Sequence, residues 1–166
     1  YVKFALSLLD KVRSRESAGE VISFGAHVIA FVEPLQAALE YHKEGYAAAM
    51  ASGDTFQAAV NLVFSCAKSI FAGVHLQTIR TQYYKAIQFM EERKLVIFKV
   101  QSQYQQHTVF KLIGTDEQPM YISAEEQTIL ATNNSGRTTY YYQRAYISFM
   151  FRSYDDAKEN TEKYLG

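Results

Sequence analysis

Several features that would point to particular protein classes are scarce or missing in this chain. It has a single cysteine, Cys66, among 166 residues, so no internal disulfide can form. Its 17 basic and 17 acidic residues balance to a net charge of zero, which gives no electrostatic reason to expect nucleic acid or an anionic membrane as a partner. No uncharged apolar run reaches the roughly 18 residues that a membrane-spanning helix needs. The first residues, YVKFALSLLDKVRSRES, are too charged for a secretory signal. We therefore expect an intracellular, cytoplasmic protein.

Motifs that carry catalysis or metal binding are also missing. Lys68-Ser69 lacks the preceding glycines of a nucleotide-binding loop, so we interpret Lys68 as a solvated side chain. There is no HExxH motif and no cysteine/histidine cluster of the kind that holds zinc. The histidines stand far apart in sequence and are assigned to packing or surface roles: His27, His42, His75 and His107. We predict no catalytic residue, no cofactor and no metal, and we interpret Cys66 as a buried, unreactive thiol.

Helical signals, by contrast, are frequent. Asp54-Thr-Phe-Gln57 has the form of a capping box, in which Asp54 accepts hydrogen bonds from the first backbone N–H groups of a helix. Apolar residues then recur at steps of three and four up to Gly73, which can end the helix in a left-handed conformation. Ser17–Glu20 and Ser123–Glu126 have the same capping-box form. Three helix starts are thus predicted from capping alone.

A repeat with an offset of 41 residues connects two parts of the chain. Leu35-Gln36 corresponds to Leu76-Gln77, and Gly73 corresponds to Gly114. Phe56 falls on Ile97 and Phe71 on Leu112, so apolar positions match as well. A period near 40 residues that contains two helices is typical of stacked helical hairpins.

The predicted fold is all-α, a right-handed superhelix of antiparallel helical hairpins with about eight helices and one short helix. We expect one domain over residues 1–166, as a segment of a longer protein. It comprises repeat units at about 33–73 and 74–114, an insertion at 115–137 and a final hairpin at 138–166. The insertion contains turns at Pro119 and at Asn133–Gly136, and a short helix at about 124–131.

Three helical faces within this scheme make specific predictions. The second helix carries Val21, Phe24, Gly25, Val28 and Val32 on one face, and glycine inside it predicts close approach of a neighbouring helix. The most regular stripe should form a core: Leu76, Ile79, Tyr83, Ala86, Ile87 and Met90. Residues 95–113 should form a helix because they keep helical spacing, although Leu95-Val-Ile-Phe98 has strand propensity.

Tyrosine is unusually abundant, with 13 residues. Consecutive tyrosines cannot all face the core of one helix, so some must be exposed or lie at an interface. The alternative is an ordinary solvated surface tyrosine. The candidate partner-binding residues are Tyr83, Tyr84, Tyr140, Tyr141 and Tyr142.

The last third of the chain resembles a known class of helical region. Residues 101–114 end a helix, and Pro119, Ser123–Glu126 and Asn133-Asn134 follow; then comes Ile147-Ser-Phe-Met-Phe-Arg-Ser-Tyr-Asp-Asp-Ala157. This order is similar to the tetratricopeptide-like region of large multi-domain signalling ATPases, and the likeness extends from about Phe24 onward. In that family the region follows an AAA-type NTPase module and often precedes sensor and histidine-kinase or cyclase modules.

The resemblance implies a helical-repeat scaffold and transfers no catalytic residue. Ala145 and Ala157 match the two small positions where the helices of a tetratricopeptide unit cross, and Tyr154 matches the aromatic residue before the second. Arg152-Ser153 departs from the family, which usually has glycine at this turn.

Two functions remain open from the sequence. The first is a non-catalytic protein–protein interaction or regulatory scaffold that binds a protein or peptide partner. The alternative is a stand-alone all-α enzyme or small-ligand carrier with a site in the helical core. A homodimer through exposed repeat ends is also expected, because both ends of the stack lack a capping helix.

Overall fold

The computed structural model describes residues 2–12, 16–115 and 123–165, and these residues form nine α-helices and no strand. The helices are α1 (Val2–Val12), α2 (Ala18–Ile29), α3 (Leu35–Ser52), α4 (Thr55–Phe71), α5 (Leu76–Glu92), α6 (Val96–Ile113), α7 (Ala124–Thr132), α8 (Asn134–Met150) and α9 (Tyr154–Leu165). The all-α prediction is confirmed, and α6 is helical despite its strand-prone start. The predicted turn at Pro119 lies outside the described residues.

The chain divides into two compact units, 1–82 and 83–166. In the first, α2 packs against α1, α3 and α4, and α3 packs along α4. Small residues allow close approach between these helices, because a Cβ on Gly19 would lie 2.7 Å from the Cβ of Ala49. A Cβ on Gly25 would lie 3.3 Å from Val2 of α1, which explains why glycine is tolerated inside α2.

The apolar face predicted for α2 is buried only in part: Gly25 is buried, and the expected close approach of a neighbouring helix is confirmed there. Phe24, Val28 and Val32 are 65%, 51% and 76% exposed, whereas the buried positions are Gly19, Ser23, Gly25, Ala26 and Ile29. Gly19 faces Ala49 of α3 and Gly25 faces Val2 of α1, because small residues at these positions permit the helices to approach closely. The large apolar side chains are therefore left on the opposite side of the helix.

The second unit contains the C-terminal part of α5 and helices α6 to α9. Ser102 of α6 donates a hydrogen bond to the sulfur of Met90 on α5, at 3.5 Å. α8 packs against α6 and α9, and α7 contacts both α6 and α8. The predicted α5 core is largely confirmed, since Ile79, Tyr83, Ala86 and Met90 are buried; Leu76 and Ile87 are only partly buried.

Left-handed residues mark the turns of the hairpins. Gly53 has φ 78°, and Lys94, 41 residues later, has φ 56°. Gly73 and Gly114 correspond in the same way, with φ 74° and 76°. Arg152, where the resembling family has glycine, adopts φ 61°. Because Gly53, Lys94 and Arg152 each lie two residues before the second helix of a hairpin, these three turns share one backbone design.

Two of the predicted helix starts can be checked at their caps. The side chain of Asp54 accepts a hydrogen bond from the backbone N–H of Gln57 at 3.0 Å, as predicted. Ser17 makes no side-chain capping bond, so a capping box does not form there. α8 begins at Asn134, inside the segment predicted as an insertion, because Asn133 caps it by accepting from the N–H of Gly136 at 2.8 Å. The predicted turn at Asn133–Gly136 is therefore the start of a helix.

Among the described residues, no helix is both long and apolar enough to cross a membrane. The division into repeat units and the single-domain organisation stay predictions.

Candidate functional site

The five candidate tyrosines occupy different environments. Tyr83 is fully buried, and its hydroxyl donates a hydrogen bond to Oε1 of Gln105 at 3.1 Å. This burial confirms that Tyr83 belongs to the core stripe of α5, so Tyr83 is not the exposed member of the Tyr83-Tyr84 pair. Tyr84, on the next position of the helix, is 49% exposed and lies 6.0 Å from the ring of Phe110.

The three consecutive tyrosines of α8 diverge around the helix. Tyr140 packs against Tyr104 of α6 with ring centroids 4.8 Å apart, and Tyr141 lies 5.2 Å from Tyr140. Tyr142 points toward α9, where its ring lies 6.0 Å from that of Tyr164. Burial raises the pKa of Tyr142, with further contributions from Tyr146 and Tyr164. Only Tyr142 of the three is as much as 42% exposed, so this run does not form one flat aromatic surface.

A groove of about 650 Å³ lies between α6, α8 and α9 of the second unit. Its walls combine aromatic, hydroxyl, amide and charged side chains: Tyr104, His107, Thr108, Lys111, Tyr140, Gln143, Arg144, Ile147, Ser148, Phe151, Ser153 and Asp156. Of the predicted tyrosines, Tyr140 is part of this lining. The groove is the candidate binding site, and we call it the α6–α8 groove.

Interhelical hydrogen bonds hold the two main walls of the groove together. Thr108 of α6 donates to Oε1 of Gln143 on α8 at 2.8 Å. Gln101 of α6 donates to the hydroxyl of Ser135 at 2.9 Å, near the start of α8. Together with the Tyr104–Tyr140 ring contact, these bonds fix α8 against α6. A fixed wall favours binding because less conformational freedom is lost when a ligand is bound.

Basic residues outnumber acidic ones in the lining of the α6–α8 groove. Desolvation lowers the pKa of His107, and the charges of Lys111 and Arg144 lower it further, so these cations lie close to the imidazole. Arg144 donates a hydrogen bond to the hydroxyl of Tyr140 at 2.7 Å and lies 5.5 Å from the centroid of its ring. Asp156 is the acidic residue of the lining. This arrangement suits an anionic ligand that also offers apolar groups to the aromatic wall.

A second polar cluster lies in the first unit, between α3 and α4. His42 is fully buried, and its Nδ1 lies 3.1 Å from Oδ1 of Asn61. The amide nitrogen of Asn61 donates to the carbonyl oxygens of Gly19 and Gln57, at 3.2 and 2.9 Å. Nζ of Lys68 lies 2.9 Å from Nε2 of His42. We call this chain of bonds the His42 network.

Burial shifts the pKa values within the His42 network. It lowers the pKa of His42 to about 4 against the opposing effect of the Asn61 hydrogen bond, and the charge of Lys68 lowers it further. Desolvation also lowers the pKa of Lys68 to about 8. The rings of His27 and Phe64 enclose the cluster, with their centroids 4.2 Å apart. Burial therefore keeps His42 neutral and makes the partly buried amine of Lys68 less basic.

Sequence reasoning missed the His42 network. The interpretation of Lys68 as solvated is wrong, since this residue is only partly exposed and bonds to His42. The packing role assigned to His42 is confirmed by its burial. The 41-residue offset could have indicated this network, because it aligns Lys68 with Val109, which is buried. A lysine at a position equivalent to a buried valine needs a polar partner.

Metal binding finds no support in the part of the chain that the structure describes, where no group of three or more histidine, cysteine or acidic side chains could hold an ion. Cys66 is buried as predicted, and burial raises the pKa of its thiol to about 12. This shift keeps the thiol protonated and unreactive.

No protein-family model matches this chain, and no curated protein matches it.

Proposed function

We propose that this chain is a non-catalytic interaction segment whose α6–α8 groove binds an acidic, partly apolar peptide of a partner protein. The observation that carries the proposal is the placement of Lys111 and Arg144 beside Tyr140 in a groove of about 650 Å³. Cations would pair with carboxylates of the peptide, and the aromatic wall would bury its apolar side chains.

The shape of the groove supports a peptide rather than a flat protein surface. It is bounded by three helices, and two interhelical hydrogen bonds keep its main walls in place. A groove between helices binds an extended or helical peptide through side-chain pockets. Tyr140 provides aromatic surface that the buried Tyr104 packs against and holds in place, and binding sites in general favour such rigid aromatic groups.

The tetratricopeptide-like resemblance is part of the same proposal. A right-handed superhelix of helical hairpins would repeat the left-handed turn found at Gly53, Lys94 and Arg152. Grooves along such a stack commonly hold peptides. We further propose that the chain acts in the cytoplasm within a larger signalling protein, and that it forms a homodimer through exposed repeat ends, which sedimentation at several concentrations would detect.

Binding can be tested with two fluorescein-labelled peptides of equal length, one alternating glutamate and leucine and the other alternating lysine and leucine. Fluorescence anisotropy should show binding of the acidic peptide about ten-fold tighter or more than the basic one, since the lining cations attract the first and repel the second. Equal affinity for both peptides would contradict the proposal.

A charge-reversal variant locates the binding site. Lys111→Glu combined with Arg144→Glu should weaken the acidic peptide by about ten-fold or more, because two attractive pairs become repulsive. The matched control is Lys85→Glu combined with Lys158→Glu, which makes the same change in net charge at exposed lysines that do not line the groove. An equal loss in both variants would show that overall charge, and not the groove, attracts the peptide.

The alternative function, an all-α enzyme or small-ligand carrier, draws on the His42 network, where polar groups converge among aromatic rings. The parent reading frame distinguishes the two functions. An NTPase module before the chain, or a kinase or cyclase module after it, would favour the scaffold. A small molecule that copurifies with the first unit would favour the carrier.

A further inference from the structure

The side-chain amine of Lys68 is held in an unusual position for a lysine. Its Nζ lies 2.9 Å from Nε2 of the buried His42 and 5.2 Å from the centroid of the Phe64 ring. The residue is only partly exposed, and Phe64 beside it is 39% exposed. The amine is thus fixed at the edge of the first unit instead of extending freely into water.

The hydrogen-bond chain behind Lys68 determines which atom of His42 faces the amine. The amide N–H groups of Asn61 are used by two carbonyl oxygens, so its Oδ1 is the atom that faces His42. Nδ1 of His42 must therefore carry the proton, and Nε2 presents a lone pair. When Lys68 is neutral, it donates one N–H to this lone pair, which leaves its own lone pair directed away from the histidine.

The fold itself does not require an amine at this position. With the 41-residue offset, Lys68 corresponds to Val109, which is fully buried, and His42 corresponds to Tyr83. The corresponding hairpin thus places an apolar side chain where Lys68 lies, and it uses a Tyr83–Gln105 bond in place of the histidine network. A partly desolvated cation is costly, so its presence in one hairpin needs another reason.

We propose that Lys68 is a covalent attachment site for a small aromatic aldehyde, which it binds as an imine. The His42 hydrogen bond orients the amine for attack on the carbonyl carbon. The exposed ring of Phe64, with His27 beside it, provides a face on which a planar aromatic ring can stack. This site is in the first unit and is independent of the α6–α8 groove.

The reaction balances without an oxidant or reductant. The amine lone pair forms the C–N bond while the carbonyl π electrons move to oxygen. One N–H proton moves to this oxygen, which gives a carbinolamine and restores the nitrogen lone pair. That lone pair forms the C=N bond as the C–O bond breaks, and the second N–H proton then leaves, so that both hydrogens depart with the oxygen as water. Nε2 of His42 accepts a hydrogen bond from the amine at the start and loses that donor in the imine.

Desolvation supports the same assignment, because it lowers the pKa of Lys68 to about 8. The titratable groups that face the amine from the packed helices are His42 of α3 and His27 of α2. Near neutral pH such an amine is unprotonated about a hundred-fold more often than an ordinary lysine. The lower basicity reduces its intrinsic nucleophilicity by about one order of magnitude, by analogy with thiols. A net gain of about ten-fold in reaction rate remains.

Pyridoxal is a suitable probe. The whole chain is treated with pyridoxal near neutral pH, the imines are reduced with borohydride, and proteolysis with mass spectrometry measures labelling at each lysine. Lys68 should react about ten-fold faster than the exposed Lys85 in the same molecule. Its rate should rise to half its maximum near pH 8, the pKa of Lys68. Equal rates at Lys68 and Lys85 in folded protein would overturn the proposal.

Two variants separate a reactive amine from an aromatic aldehyde site. Phe64→Leu removes the stacking face at a partly exposed position, so the ratio of pyridoxal to propanal labelling at Lys68 should fall by about three-fold. An unchanged ratio would overturn the preference for aromatic aldehydes.

His42→Gln should reduce pyridoxal labelling at Lys68 by about three-fold or more while leaving Lys85 unchanged. Equal labelling of Lys68 in this folded variant, confirmed by circular dichroism, would overturn the role of the His42 hydrogen bond.

Discussion

Individual buried polar residues in this chain depend on small neighbours as much as on hydrogen-bond partners. Asn61 can bond to His42, Gly19 and Gln57 together only because Gly45 leaves room for its amide. A Cβ on Gly45 would lie 2.5 Å from Oδ1 of Asn61, well inside contact distance. Glycine at this position is therefore a requirement of the network and not only of helix packing.

Gly45→Ala should lower the free energy of unfolding by about 1–3 kcal/mol, because Asn61 must move and lose buried hydrogen bonds. This loss is net of the roughly 1 kcal/mol that alanine contributes to a helix. Urea denaturation measures it. Gly25→Ala is the matched control, since its Cβ would meet only flexible side chains of α1, the nearest at 3.3 Å. A loss at Gly45 no larger than that at Gly25 would show that Asn61 adapts freely.

Acid should destabilise the protein through His42. The pKa of this buried residue is lowered from 6.5 to about 4, so the unfolded chain binds a proton more readily than the folded one. The contribution of neutral His42 to the free energy of unfolding is therefore fully present above pH 6.5 and is lost as the pH falls toward 4. The loss amounts to about 3 kcal/mol at most.

This pH effect is measured as the free energy of unfolding at several pH values between 4 and 7. The wild-type curve should fall more steeply with acid than that of His42→Gln, which has no group to protonate. His27 and His107, whose pKa values are also lowered by burial, contribute slopes of the same sign in both proteins. Parallel curves would mean that His42 is not kept neutral by the fold.

Residue-level prediction from sequence was least successful for polar side chains. The apolar periodicity of α5 predicted most of its buried positions, because burial of large apolar groups follows helical spacing. Apolar periodicity could not predict the burial of four polar residues of α6: Gln101, Ser102, Gln105 and Gln106. Partners of buried amides, such as Ser135 for Gln101, come from other helices, and single-helix periodicity contains no information about them.

Among the structural elements, the turns show the clearest repetition. The hairpin turns place a left-handed residue two positions before the second helix, and this residue is glycine at 53 but lysine at 94 and arginine at 152. A side chain in this conformation costs about 1–2 kcal/mol relative to the right-handed one. The helix contacts on either side hold these two residues in place.

Lys94→Gly and Arg152→Gly should each stabilise the protein by about 0.5–1 kcal/mol, since relief of backbone strain exceeds the entropy that glycine adds to the unfolded chain. Gly53→Ala should destabilise it for the converse reason. Thermal unfolding compares the three variants with the wild type. Lys94→Ala is the control for charge and should give no gain, because alanine keeps the Cβ. Loss of stability in both glycine variants would contradict this account of the turns.

The positions of helices were predicted correctly where the apolar residues keep helical spacing. The buried face of a helix was not predicted where the distance to the neighbouring helix determines which side chains fit. The 95–113 segment was correctly predicted as a helix, since helical spacing outweighed the strand propensity of its first four residues. For α2, the apolar stripe includes the buried Gly25 but also the exposed Phe24 and Val28, because the close contact of Gly19 with Ala49 requires small side chains on the buried side. Sequence periodicity detects apolar residues but not the distance to the next helix.

At the scale of the whole molecule, charge is balanced in total but not in distribution. The chain has 17 basic and 17 acidic residues, yet the lining of the α6–α8 groove has two basic residues, Lys111 and Arg144, and one acidic residue, Asp156. Global composition predicted neither the groove nor its local charge. The zero net charge nevertheless argues against a large polyanion such as DNA as a partner, because a polyanion interacts with the charge of the entire protein surface.

A DNA duplex and an acidic peptide should therefore be distinguished clearly. Specific peptide binding uses a few local pairs, whereas non-specific DNA binding needs many phosphate contacts that a neutral chain cannot supply. In fluorescence anisotropy at about 0.15 M salt, the glutamate–leucine peptide should bind and labelled duplex DNA should show no binding at protein concentrations up to about 10 μM. The peptide affinity should also fall as salt increases, since its ion pairs are partly exposed. DNA binding in this range, lost in the Lys111→Glu and Arg144→Glu variant, would instead identify the groove as a site for phosphate backbones.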